Sequence, residues 1–140
     1  MSEDSIFSKI IRGEIPAHKL YEDNQVVVIL DINPLSEGHA LVIPKEPSAT
    51  IDQLSDDASA AVGRVLPRVT RAIKKVTGAK AMNVLQNNGR EAGQEVDHVH
   101  FHVIPCYPDR EAGGLRKTWT PGKLDAEQGA ELGRKIARLL

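Results

Sequence analysis

Asp97-His98-Val99-His100-Phe101-His102-Val103-Ile104 is the stretch whose residue types could do chemistry. Side chains alternate between faces along an extended strand, so His98, His100 and His102 are expected on one face and Val99, Phe101 and Val103 on the other. The apolar set can fill a core, which leaves the imidazoles to a pocket or to water. Imidazole titrates near neutrality, so one ring can attack while a neighbour donates or shuttles a proton. A histidine nucleophile splits one hard displacement into two easier ones through a covalent intermediate. Phosphorus is a suitable target, because N–P bonds to imidazole form and hydrolyse readily. Metal binding is the competing chemistry, since alternate strand residues can bind one ion. At about 3.3 Å rise per residue, however, His98 and His102 start roughly 13 Å apart, too far to join easily on one metal. No second cluster of cysteine or acidic ligands has obvious spacing to complete such a site. A reading with three satisfied or solvated rings leaves unexplained why three of the five histidines fall within five residues.

The preceding loop, Asn87-Asn88-Gly89-Arg90-Glu91-Ala92-Gly93-Gln94-Glu95, offers amides, glycines and one guanidinium beside the histidine face. Glycines allow backbone N–H groups to turn inward as an anion-holding nest, which could stabilise charge on phosphoryl oxygens. A hairpin connection rich in Asn and Gly is the plainer reading of the loop alone.

These residues need elements to position them. Ile6 to Arg12 has apolar residues at helical spacing and stops at Gly13. Lys19 to Tyr21 and Val26 to Leu30 are expected as strands around the turn Glu22-Asp23-Asn24. Asn33-Pro34 and Glu37-Gly38 mark a loop, and His39 to Ile43 a third strand ended by Pro44. Ser55 to Thr77 is the long helix, with Ser55 as N-cap, Asp56 and Asp57 at its positive end and Gly78 as C-cap. Ala58, Ala61, Val62, Val65, Leu66, Val69, Ile73 and Val76 form its apolar stripe. Pro67 is discordant: inside a helix it costs about 3 kcal/mol and predicts a kink, or two shorter helices meeting there. Ala81 to Gln86 and Asp97 to Ile104 are expected as two further strands. A last helix, roughly 125–140, would place Leu132, Ile136, Leu139 and Leu140 on one side. The sum is one α+β domain over residues 1–140, a mostly antiparallel sheet of about five strands with one long and one C-terminal helix.

Bulk properties narrow the function. With 140 residues the chain can bury a single core, and 41% hydrophobic with 26% charged residues is ordinary for a soluble domain. A net charge of −1 gives no basic excess of the kind that tracks a nucleic-acid backbone, so a small ligand is favoured and nucleic acid is not. Met1 to Ser5 is polar and acidic rather than signal-like, and the longest aliphatic run, Val26 to Leu30, falls far short of the roughly 20 residues a membrane span requires. Cys106 is the one cysteine, so a cytoplasmic setting without membrane contact is expected, with Cys106 as a small filler.

At His98-x-His100-x-His102 followed by Val103-Ile104, the chain resembles the histidine triad family of nucleotide hydrolases and transferases. The likeness extends to Ile6-Phe7 through Pro16, Asp31-Ile32-Asn33-Pro34, Gly38 to Pro44 and Asn87 to His102, in the family's order, from about residue 5 to 106. It is nearest to the branch of histidine triad nucleotide-binding proteins, which act as purine nucleoside phosphoramidases, and their bacterial relatives. This resemblance implies that His100 attacks the α-phosphorus and becomes transiently nucleotidylated before water releases the nucleoside monophosphate. It implies that His102 contacts the phosphate or leaving group, with His98 and His39 completing the histidine network. Asp31 would hold the ribose hydroxyls, Ile32 and Phe7 would flank a purine base, and Asn87, Gly93 and Gln94 would lie near the phosphate. It further implies a two-fold homodimer with sheets joined across the interface, and chemistry that needs no metal and no cofactor.

Three departures accompany the likeness. Some bacterial members hold a structural zinc through a Cys-x-x-Cys pair, a further histidine and the first triad histidine; here Ser5, Ser8 and Pro47 stand at the first three positions, so no such zinc is expected. Glu95 occupies a position where the nucleotide-binding branch often has a phosphate-touching serine, and a carboxylate there repels the ligand unless it turns away. The C-terminal part has only a general likeness, with Trp119 expected as a buried anchor at the interface. The alternatives to a phosphoramidase are a dinucleoside polyphosphate hydrolase with the same chemistry and a non-catalytic nucleotide-binding module.

Overall fold

The computed structural model describes residues 4–109, 113–115 and 120–140, and Trp119 lies outside them. In chain order the elements are helix α1 (Ile6–Ile11), strands β1 (Lys19–Glu22), β2 (Val26–Leu30) and β3 (Ala40–Pro44), and helix α2 (Asp56–Thr77). Strands β4 (Ala81–Leu85) and β5 (Phe101–Cys106) and helix α3 (Ala126–Ala137) follow, with single 3₁₀ turns at Ile51–Gln53 and Arg90–Ala92. All pairings are antiparallel and the strand order is β1-β2-β3-β5-β4, as expected for an α+β chain of this pattern. The crossover through α2 is what brings β5 between β3 and β4, so the histidine-bearing strand sits inside the sheet rather than at its edge.

Two cores lie on opposite faces. On one, Val26, Val28, Ala40, Val42 and Val103 pack against Ala61, Val62, Val65, Val69 and Ile73 of α2. On the other, Val27, Ile29, Leu41 and Ile43 pack against Phe7 and Ile10 of α1. Both central strands are therefore covered twice, which explains why Val26 to Leu30 is a continuous aliphatic run rather than an alternating one.

The long helix begins as its sequence requires. Ser55 Oγ accepts from the Ala58 N–H at 3.1 Å, and Gly78 closes the helix at φ 76°, donating to the Lys74 carbonyl. Pro67 neither ends α2 nor divides it; the helix runs uninterrupted from residue 56 to 77, with Pro67 on the solvent face. There the ring displaces no core neighbour, and the cost is confined to the Gly63 carbonyl, to which proline has no N–H to give. Val76, expected in the buried stripe, is 86% exposed in the last turn, next to the αL cap where the chain leaves the helix. The C-terminal helix forms with Asp125 as N-cap, but buries none of its residues, and Leu132 and Ile136 stay more than half exposed.

One strand boundary differs in a way that matters. The ladder starts at Phe101, so Asp97 to His100 is not part of the expected Asp97–Ile104 strand. The Val99 N–H instead donates to the Ser48 carbonyl at 2.8 Å, drawing residues 97–100 away from β3 towards the loop after it.

Replacing Pro67 with Ala restores the missing donor without disturbing a packed contact. The expected result is a rise in stability of about 1–3 kcal/mol, read as a higher urea midpoint at unchanged slope; an unchanged or lower midpoint would contradict this account of α2.

Candidate active site

His102 is placed by the sheet register. Leu41 on β3 and Leu85 on β4 are its direct partners on either side, so the three side chains form one row on the α1 face. Phe101 and Val103 turn to the α2 face, as alternation predicts. Below residue 101 alternation no longer applies, yet the rings stay in file. The His100 and His102 centroids are 5.0 Å apart, and Phe7 lies edge-on to His100 at 4.9 Å and to His98 at 6.0 Å.

The rings do not share one environment. His100 and His102, with His39 from the turn into β3, line a cleft of ≈ 520 Å³ on the α1 side of the sheet. Phe7, Asp31, Ile32, Asn87, Gly93 and Glu95 line it too, and Ile32 stands at its mouth, 75% exposed. His98 does not line the cleft. It is fully buried beneath α1, where its Nε2 meets the Pro44 carbonyl at 2.8 Å and its Nδ1 meets Ser5 Oγ at 3.1 Å. Gln94 does not line it either. This buried side chain ties the loop together, accepting from the Gly89 N–H and donating to the carbonyls of Ala49 and Val96.

Four N–H groups of that loop, both glycines' among them, are engaged within the loop itself. The N–H groups of Ala92 and Gln94 donate to the Gly89 carbonyl and that of Gly93 to Arg90, while Gly89 donates to the Gln94 side chain. Gly89 and Gly93 do take positive φ, but to close this turn.

Hydrogen bonding determines where each imidazole proton lies, because a carbonyl can only accept and a backbone N–H can only donate. His100 Nδ1 donates to the His98 carbonyl at 2.7 Å, so the lone pair is on Nε2, across the ring. The Leu35 N–H donates to His39 Nδ1 at 3.0 Å, so His39 carries its proton on Nε2. That proton goes to His102 Nδ1 at 2.9 Å, with Asp31 Oδ2 at 3.5 Å as a second acceptor. His102 Nδ1 accepts, and its own proton is therefore on Nε2. One ring of the pair presents a lone pair and the next an N–H: a nucleophile beside a hydrogen-bond donor. His98 is held with its proton on Nε2 by the Pro44 carbonyl.

Burial keeps these rings neutral. His39, His98 and His100 are all shifted below the ordinary imidazole value, in each case chiefly by loss of water around the charged form. His102 is pushed down to about 4, by burial first and then by the neighbouring rings of His100 and His39, against a smaller opposing pull from Asp31.

Asp31, His39 and His102 offer three ligand atoms within 4.8 Å of one another, the one such trio among the described residues. The donor set does not suit a cation. With the Leu35 N–H on Nδ1, a metal on His39 Nε2 would leave that ring with no proton at all, unless the backbone bond broke. The structural zinc position of some bacterial relatives is equally unsuited. Ser5 and Ser8 supply hydroxyls rather than thiolates, and Ser5 Oγ is engaged with the Ser8 N–H and with His98.

The model of the HIT domain family matches residues 12–109, which hold every ring discussed above except Phe7. The chain belongs to the HIT domain family. It is 46% identical over 132 residues to an adenosine 5'-monophosphoramidase of Schizosaccharomyces pombe, covering 94% of this chain and 95% of that protein. It is 47% identical over 105 residues to an adenylylsulfatase of Arabidopsis thaliana, covering 75% of this chain and 53% of that one. Among solved structures, a HIT family protein of Bacillus anthracis superposes with a TM-score of 0.94 at 35% identity, covering 100% of this chain and 99% of that one.

Sequence reasoning gathered His39, His100, His102, Asp31, Phe7, Ile32, Asn87, Gly93 and Glu95 into what the HIT fold makes one cleft. It missed the Leu35 N–H, because a backbone donor leaves no residue-type signal, and it missed the walls formed by Ile15, Pro16, Ala17 and Leu85.

Because the folded rings hold protons less tightly than the unfolded chain, the unfolded state gains protons first on acidification. Stability is then complete above the ordinary imidazole value of 6.5 and is lost as pH falls towards 4. Urea midpoints measured across that window are expected to drop steadily; a flat profile would show that the rings are not buried in the neutral form.

Proposed function

We propose that this HIT domain protein hydrolyses nucleotides at the α-phosphorus, with nucleoside phosphoramidates as the favoured substrates and His100 as the nucleophile. The observation that carries the reading is the His100 Nδ1 bond to the His98 carbonyl, which leaves Nε2 as the ring's lone pair in a water-accessible cleft. Support comes from relatives at 46% and 47% identity whose names share an adenylyl group and differ in what leaves it, an amine or sulfate. That difference suits a site which grips the nucleotide and asks little of the leaving group, so a dinucleoside polyphosphate falls within the same chemistry.

In this reading the base lies between Phe7 and Ile32, and the ribose hydroxyls reach Asp31. One oxygen of Asp31 is held by the Asn33 N–H at 2.8 Å, which orients the carboxylate for that task. His100 Nε2 forms a bond to the α-phosphorus as the bond to the leaving group breaks, and the departing atom takes the electron pair together with a proton from His102 Nε2 or from water in the cleft. The His102 Nε2–H donates to the phosphoryl oxygens or to that departing atom. Water then attacks phosphorus, giving up a proton that returns to His102 or passes to solvent, the N–P bond breaks with its electron pair going back to His100 Nε2, and the nucleoside monophosphate leaves with His100 neutral again. The His98 carbonyl offsets the positive charge that develops on the His100 ring in both steps. Glu95 also lines the cleft and its charge favours the protonated His100 ring, a placement that can serve the intermediate better than the incoming anion.

The protein is further proposed to work in the cytoplasm as a homodimer. Strand β4 is an edge of the sheet, and α3 exposes Leu132 and Ile136 in the single chain. No helix among the described residues is long and apolar enough to cross a membrane.

The test is turnover of an adenosine phosphoramidate carrying a fluorescent amine. His100→Ala is expected to lose about three orders of magnitude or more in kcat, and mass spectrometry of rapidly quenched wild type is expected to find a nucleotidyl group on His100. Equal turnover by wild type and His100→Ala would remove His100 from the mechanism. Nucleotide binding by wild type with no turnover of any of these substrates would leave a binding module instead.

A further inference from the structure

The proton relay that sets His102 begins at a backbone group, the Leu35 N–H, and that group lies in a loop between β2 and β3 rather than in a regular element. What holds the loop comes from the end of β5 and the chain beyond it. Ser36 forms an isolated antiparallel bridge with Gly113, and the Gly114 N–H donates to the Leu35 carbonyl at 3.1 Å. Ser36, itself buried, donates from Oγ to the Pro105 carbonyl at 2.6 Å, and Tyr107 Oη donates to the Glu37 carbonyl at 2.6 Å. Leu35 is thus gripped at both ends: its carbonyl by Gly114, its N–H by the imidazole of His39.

Gly113 cannot be another residue in this arrangement. It sits at φ 91°, and a Cβ built on it would lie 2.0 Å from the Leu35 carbonyl oxygen. That oxygen is backbone and cannot swing aside, so any side chain at 113 must push residues 35 and 36 away. Nothing in catalysis as described above uses Gly113; its demand is purely geometric, and it falls on the residue whose N–H sets the relay.

We infer that Gly113, Gly114 and Ser36 are positioning residues for the active site, holding Leu35 so that its N–H keeps the His39 proton on Nε2 and thereby the His102 proton on its cleft-facing Nε2. The inference rests on the proposed role of His102 as a donor to the phosphate or leaving group. Without the grip on Leu35, His39 is free to exchange tautomers, and a His39 ring with its lone pair on Nε2 would take the proton of His102 onto Nδ1. The donor facing the substrate would then become an acceptor, opposed to phosphate oxygens. The nucleophile, which depends on the His98 carbonyl, would be untouched.

The experiment compares wild type, Gly113→Ala, Ser36→Ala and Gly122→Ala, the last a glycine with open space around its Cβ position and ordinary φ. Two quantities are read: nitrogen NMR of the imidazoles, which reports which ring nitrogen holds the proton, and steady-state turnover of the adenosine phosphoramidate. Wild type and Gly122→Ala are expected to show His39 and His102 as single Nε2–H tautomers. Gly113→Ala and Ser36→Ala are expected to show mixed tautomers at both rings, with His100 unchanged. Their kcat should fall about tenfold to a hundredfold, the size of a small misplacement near reacting groups, with KM little altered. Wild-type tautomers and turnover within twofold of wild type in both variants overturn the inference. If Gly113→Ala does not fold, Ser36→Ala, which deletes a single oxygen, decides alone by the same criteria. If wild type turns over no nucleotide, the proposed function fails while the tautomers still decide whether the loop sets the relay.

Discussion

The bond from His100 Nδ1 to the His98 carbonyl is the constraint on which the site depends. An imidazole is useful as a nucleophile only if a known nitrogen keeps its lone pair, and free in water the two tautomers interchange. A carbonyl two residues back removes that freedom, provided the backbone at 98–100 stands in the right shape. That shape is not a strand. It is the departure from the sheet enforced by the Val99 N–H on Ser48 and by the burial of His98 under α1.

His98 therefore acts through its backbone while its side chain anchors that backbone. Its ring is sandwiched between the Pro44 carbonyl and Ser5, and Ser5 is also the N-cap of α1, accepting from the Ser8 N–H. One hydroxyl thus ends a helix and holds a triad ring. The same helix brings Phe7 against His98 and His100, so the apolar wall of the cleft and the support of the proposed nucleophile are one piece of structure. Buried polar groups of this kind are costly unless each is paired, and every one of these is.

The opposite side of the cleft is organised by a second chain of bonds, from Leu35 through His39 to His102. The two chains end on neighbouring rings with opposite hydrogen-bonding character. Low polarity around the rings keeps both neutral, so the site presents a lone pair and a donor with no positive charge on either ring.

Much of this protein was determined by local pattern. The caps at Ser55 and Gly78, the apolar stripe of α2, the aliphatic run of β2 and the clustering of histidines each follow from residue type and spacing within a short window, and so the α+β sheet and the rings of His100 and His102 were legible, whereas Phe7, Asp31, Ile32 and His39 came only through the family resemblance. The tertiary structure decided what no window contains. It began strand β5 only at Phe101, kept His98 and Gln94 out of the cleft, spent the N–H groups of Gly89, Ala92, Gly93 and Gln94 within the loop and tolerated Pro67 on a solvent face. The strand end and the burial of His98 are settled by backbone acceptors far along the chain, Ser48 for Val99 and Pro44 for His98. All residues carry the same backbone groups, so their pairing leaves no trace in composition or periodicity until the chain is folded.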